Sequence, residues 1–169
     1  MKIRNLTLCA MFTALICLCA WLIVPFPGVP FTMQTFAVCL SLLVSGGKKG
    51  SAAIFAYLML GLCGLPVFSG FQGGFSALVG PTGGFLMGFL LGALGYWALT
   101  ALGVKPVPAA AACLAVSYLS GCLWYAFGYL SGVSGLGAAA MQCVVPFLIP
   151  DGIKLTLAAL VAKKLNKVV

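Results

Sequence analysis

Long apolar runs, broken by short clusters of glycine, proline and lysine, occupy this chain almost from end to end. The runs are continuous rather than alternating, which predicts membrane helices and argues against a transmembrane β-barrel. Six spans are predicted, over residues 6–24, 31–45, 51–65, 84–102, 109–130 and 149–162. Several are barely long enough to cross a hydrocarbon core at about 1.5 Å per residue. A further apolar stretch, 137–147, is expected to run along the outer surface or to form a bent start to the sixth span. The expected fold is all-α and integral to the membrane: a six-helix bundle in the cell membrane, one membrane domain over residues 1–169.

The connections fall into two classes that alternate along the chain. Lys2 and Arg4 precede the first span, Lys48 and Lys49 lie between the second and third, Lys105 between the fourth and fifth, and Lys163, Lys164 and Lys167 follow the sixth. The positive-inside rule makes that side cytoplasmic, with both termini inside. The other connections, 25–34, 67–83 and 131–150, are uncharged and rich in glycine, proline, aromatics and amides. Loops this apolar either cap the bundle as packed structure or line a cavity, since irregular backbone at membrane depth needs protein or a cavity beside it. Cavity lining is the favoured reading.

Composition excludes several function classes. Hydrophobic residues make up 63% of the 169 and charged residues only 6%, against about 25% in soluble domains. Mean hydropathy is +1.22. No polar stretch is long enough for a separate catalytic or nucleotide-binding domain. The net charge of +8 is dispersed in singles and pairs beside apolar runs, so nucleic acid is not an expected partner. The eight cysteines lie in apolar runs without a CxxC pair or any histidine, and are read as small buried apolar residues. Met1-Lys-Ile-Arg4 and its apolar run end at Pro25-Phe-Pro rather than at a small-residue cleavage site, so a retained first helix is expected over a secretory signal.

Against this background one residue stands out: Asp151 is the only acid in the chain, and Lys154 follows one helical turn later. An ionised side chain within the bilayer costs about 2.5 to 3.5 kcal/mol even on lenient insertion scales, so both need compensation. Pro150 reads as a helix start, which makes an Asp cap with an i, i+3 partner the structural explanation. The functional explanation is a substrate site, because this is the one charged pair expected on the external half. Carboxylate and ammonium together suit a ligand with N–H donors beside a carbonyl, or one ending in a carboxylate. Polar candidates on the same side are Thr32, Gln34, Ser69, Gln72, Thr82 and Gln142; aromatic wall candidates are Phe26, Phe31, Phe68, Phe71, Phe75 and Tyr125. On the first span, Ala10 and Ala14 form a small-xxx-small motif that allows close helix approach, either to a partner or within the chain. Gly46-Gly-Lys-Lys-Gly50 lacks the spacing and setting of a phosphate loop, so the work of transport is assigned to other subunits.

Four motifs in order carry a resemblance: Val29-Pro-Phe-Thr-Met-Gln-Thr35, Gly61-Leu-Cys-Gly-Leu-Pro-Val-Phe68, Gly80-Pro-Thr-Gly-Gly-Phe85 with Gly88-Phe89, and Pro146-Phe-Leu-Ile-Pro-Asp-Gly-Ile-Lys154. Over nearly its whole length the chain resembles the BioY family, the biotin-specific S components of energy-coupling factor transporters. The resemblance implies a six-helix bundle binding biotin near the external face, with no cofactor. It implies that Asp151 and Lys154 meet the biotin head group. It also implies that Ala10 and Ala14 dock on a transmembrane coupling subunit driven by two ATPase subunits. Gly152 departs from the apolar residue that usually follows this Asp in the family, and no group is assigned to the ligand's carboxylate.

Two other classes are weighed. A stand-alone dimeric secondary carrier for a small vitamin-like solute would accumulate its ligand in liposomes without an ATPase partner. An intramembrane enzyme is disfavoured by one carboxylate and one lysine without histidine or a metal set.

Overall fold

The computed structural model describes residues 3–25, 30–130 and 132–167. Helix α1 (Ile3–Trp21) leads into a short antiparallel hairpin, β1 (Ile23–Val24) with β2 (Phe31–Thr32), in which Ile23 pairs with Thr32 and Val24 with Phe31. There follow α2 (Gln34–Leu62), α3 (Phe75–Val79), α4 (Gly83–Ala101), α5 (Pro106–Tyr129), α6 (Leu136–Cys143) and α7 (Val145–Leu165). Of these, α1, α2, α4, α5 and α7 are long and apolar enough to cross a membrane. The protein is an all-helical, multi-pass membrane protein.

The second and third predicted spans fall within the single helix α2, which is broken at Gly46. Its backbone there is non-helical, at φ 75° and ψ 170°, a region that glycine enters freely. The chain reverses at this point. The Gln34 amide donates to the Tyr57 hydroxyl at 3.0 Å, although a straight helix would separate the two residues by roughly 34 Å. The first arm, residues 34–45, rises only about 18 Å, far less than the ~30 Å hydrocarbon core. Phe31 and Thr32, predicted as helix, are extended instead, because the hairpin with β1 takes their backbone groups.

Inter-helix bonds give the directions. Thr13 bonds to the Ala53 carbonyl, and the Trp21 indole to that of Pro66, so α1 and the second arm of α2 run parallel. Thr35 meets Asp151 while Asn166 bonds to the Leu43 carbonyl, so the first arm and α7 also run parallel. Ser51 reaches the Ala93 carbonyl of the antiparallel α4. Arg4, Lys48, Lys49, Lys105, Lys163, Lys164 and Lys167 consequently share one end of the bundle, and Asp151 and Lys154 lie toward the other; Lys2 is outside the described residues.

Helices α4 and α5 pack through glycines four residues apart. A Cβ on Gly84, Gly88 or Gly92 would lie 2.2 Å from Trp124, 2.1 Å from Ser120 or 2.6 Å from the Cys113 carbonyl, so only glycine allows this approach. Ser120 then donates to the Gly84 carbonyl at 2.8 Å across the contact. Phe12, Ile16, Val38, Leu42, Ile54 and Tyr57 are almost fully buried between α1 and the two arms of α2. Six cysteines are buried as expected; Cys122 is half-buried, and Cys63 is exposed because helix α2 ends at Leu62 just before it.

Helix α7 begins at Val145, with Pro146 in its first turn, and Pro150 lies inside it. This corrects the expectation of a helix start at Pro150. The earlier proline takes the position where a missing N–H is harmless, and Asp151 is therefore a turn and a half into the helix. The stretch 137–147 divides between α6 and the start of α7.

Candidate functional site

Three helices converge on Asp151. The first arm of α2 supplies Thr35, whose hydroxyl donates to Asp151 Oδ1 at 2.9 Å. Helix α5 supplies Tyr118, whose phenol donates to Oδ2. Helix α7 supplies Lys154, whose Nζ lies 2.8 Å from Oδ1. No α7 backbone N–H is among these donors, so Asp151 is not a helix cap and the structural explanation by capping falls away.

Lys154 is equally enclosed. Besides Asp151 it donates to the Thr32 carbonyl at 2.5 Å and to the Thr35 hydroxyl at 3.2 Å, which uses all three of its N–H groups. The Phe31 ring covers it, with its centroid 3.7 Å from Nζ, and Phe31 stacks on Phe147 at 5.8 Å. Asp151 is 3% exposed and Lys154 5%. Burial at this level is tolerable because each charge has the other and a near-complete set of hydrogen bonds.

The pair forms one wall of a cavity. Thr32, Gln34, Thr35, Ser69, Thr82 and Tyr118 are its other polar lining, and Pro30, Phe85, Leu86, Phe89, Cys143 and Phe147 its apolar lining. Gln34 is 4% exposed and uses its amide nitrogen on Tyr57, leaving the amide oxygen as an acceptor. Burial, with a smaller contribution from Cys122, pushes the Cys143 thiol up to about 11, so it is a neutral wall at physiological pH.

The structure thus brings together Asp151, Lys154, Thr32, Gln34 and Thr82, with Phe31 beside them. It places three other candidates elsewhere. Phe68 is buried edge-on against Tyr57 and fills the space over Gly61. Gln72 is exposed, its main chain bridged to Phe68. Gln142 is exposed on α6 and accepts from the Tyr125 hydroxyl at 3.5 Å. Among the aromatics, Phe71 stacks on Trp21, Phe75 is exposed, Tyr125 stacks on Tyr129, and Phe26 is outside the described residues. Thr35 and Tyr118, which hold the carboxylate, were not singled out from the sequence. Ala10 and Ala14 are exposed on α1, in an apolar groove shared with Phe55, Ala56 and Met59 of α2.

A buried acid and lysine, with further acceptors and hydroxyls, thus line one cavity. The BioY family model matches residues 1–169. The chain belongs to the BioY family. It is 41% identical over 182 residues to the biotin transporter BioY of Thermotoga maritima, an alignment covering 97% of this chain and 96% of that protein. To the probable biotin transporter BioY of Pyrococcus horikoshii it is 36% identical over 168 residues, with 98% of each covered. Its fold is similar to the crystal structure of an S-component for biotin from an ECF-type ABC transporter. The TM-score is 0.83 at 25% identity, covering 98% of this chain and 92% of that one. The BioY match spans the whole chain, so it includes the cavity, the broken helix α2 and the α1 groove alike.

Proposed function

We propose that this chain is the biotin-binding membrane subunit of an energy-coupling-factor importer, a transport protein and not an enzyme. The observation that carries the reading is the chain's only acid, buried with Lys154 in a polar cavity at the end of the bundle opposite the other basic residues. Biotin's ureido ring offers two N–H donors flanking a carbonyl. Asp151 Oδ2 and the Gln34 amide oxygen supply acceptors on the cavity wall for such donors, and Phe85, Phe89 and Phe147 supply apolar surface for the fused ring.

On this reading the two arms of α2 make two passes about Gly46, the short first arm being extended by the preceding β2 segment, giving six passes with both termini and the basic end in the cytoplasm. The cavity then faces the exterior. The α1 groove with Ala10 and Ala14 receives the transmembrane coupling subunit, and two ATPase subunits drive it. Residues 1–169 act as one membrane domain, without a cofactor. Titration calorimetry of the purified chain with biotin tests the binding role: saturable heat is expected, and no heat with biotin would refute it. Ala10→Leu with Ala14→Leu should leave that titration unchanged and abolish uptake in cells that hold the complete importer. Unimpaired uptake would remove the groove from the coupling path.

A further inference from the structure

The two oxygens of Asp151 are not equivalent. Oδ1 already accepts from Thr35 and from Lys154, while among the described residues Oδ2 accepts only from Tyr118. A carboxylate oxygen has room for about two donors, so Oδ1 is filled and Oδ2 has one place left. Lys154 has no N–H free, since Thr32, Thr35 and Asp151 take all three. Within the ion pair, the place open to a ligand donor is therefore the second lone pair of Oδ2. The group that sets where it points is the phenol bound to the same atom.

Tyr118 is well placed to do this. It lines the cavity from α5, and its ring packs against Cys143 and Phe147, so its hydroxyl is held by a helix other than the two that fix Oδ1. The phenol also lies 3.5 Å from the Phe147 carbonyl, but it has a single proton and the carboxylate is the nearer and charged acceptor. We propose that Tyr118 is a positioning residue for ligand recognition: its hydroxyl fixes the plane of the Asp151 carboxylate so that the remaining lone pair of Oδ2 receives a ligand N–H. This rests on the reading of Asp151 as a biotin contact.

The test crosses Tyr118→Phe with Asp151→Asn in the full-length chain and titrates biotin and a biotin analogue methylated at a ureido nitrogen. Phenylalanine keeps the ring packing, so melting temperature serves as the control for folding. Tyr118→Phe is expected to weaken biotin ~10-fold or more, the effect of one hydrogen bond to a charged group. In the Asp151→Asn background the further loss should be under about twofold, and for the methylated analogue the Tyr118→Phe loss should shrink likewise. Equal losses in both backgrounds and with both ligands would mean that Tyr118 acts only through packing, and would overturn the proposal. Tyr118→3-fluorotyrosine, which changes the donor without emptying the site, gives a second reading should Tyr118→Phe not fold. A shift in biotin affinity confined to the Asp151 background supports the proposal, and an identical shift in Asp151→Asn overturns it. Wild-type protein that binds no biotin refutes the functional reading itself, whereas wild-type binding with equal losses refutes only the role of Tyr118.

Discussion

Neutralising both members of the buried pair should destabilise the protein far less than the sum of the two single neutralisations. Asp151→Asn leaves the Lys154 ammonium 5% exposed with no other acid anywhere in the chain. Opposite charges at the observed 2.8 Å attract by about 6 kcal/mol at an effective dielectric near 20, and removing one partner of a buried pair costs about 3 to 5 kcal/mol. Lys154 keeps the Thr32 carbonyl, the Thr35 hydroxyl and the Phe31 ring, which places the loss near the lower end, at about 3 kcal/mol. Lys154→Met leaves a carboxylate with two hydroxyl donors, and a similar loss is expected. The double variant Asp151→Asn/Lys154→Met buries no charge; its loss reduces to hydrogen bonds worth about 1 kcal/mol each, so about 3 kcal/mol in all against roughly 6 for the sum of the singles. Thermal unfolding of the four purified proteins in one detergent reads this directly. The double variant should melt no lower than the worse single. A double variant whose loss equals the sum of the singles would show that the two charges do not compensate each other. Biotin titration separates stability from recognition, because all three variants should lose about 2 kcal/mol or more of binding while the double variant stays folded.

Two further outcomes test the packing and the orientation. Gly88→Ala should lower stability by about 1 to 3 kcal/mol, since its Cβ would lie 2.7 Å from the Ser117 backbone, whereas Gly95→Ala meets nothing within 4 Å and should be neutral or gain up to about 1 kcal/mol from helix propensity. Equal melting shifts for the two would deny the close α4–α5 contact. Cys63, exposed at the end of α2 remote from Gly46, should react with a membrane-impermeant maleimide added outside intact cells, and Cys63→Ser should abolish that labelling. Labelling that requires permeabilisation would invert the proposed orientation.

The charged half of the site was legible in the sequence because nothing competes with it: one acid, and one lysine apart from the basic clusters. The hydroxyl half was not. Thr35 lies 116 residues from Asp151 and Tyr118 lies 33 residues away, and only the direction and rotation of α2 and α5 decide that these hydroxyls face the carboxylate. Gln72 and Gln142 show the converse, since both are exposed and neither lines the cavity. The side of the membrane on which a loop falls can be read from hydropathy, but the direction of its side chains cannot. Pro150 was misread because Pro146 satisfies the same first-turn preference four residues earlier, and an internal proline is tolerated once the helix has begun. The spacing of Gly84, Gly88 and Gly92 was present in the sequence as a period of four, a signal of close helix packing that marks the α4–α5 contact.

The ion pair also bears on how a ligand can enter. Lys154 is held to the hairpin as well as to Asp151, through the Thr32 carbonyl and the Phe31 ring, and Phe31 is stacked in turn on Phe147 of the same helix. A ligand oxygen can reach Lys154 only by displacing one of three existing acceptors, whereas a ligand N–H can reach Oδ2 without breaking any of them. Donors are therefore admitted at lower cost than acceptors. An analogue retaining both ureido N–H groups but with a weaker acceptor in place of the carbonyl should lose less affinity than one lacking a single N–H. The opposite order would mean that Lys154 gives up one of its present bonds when the site fills.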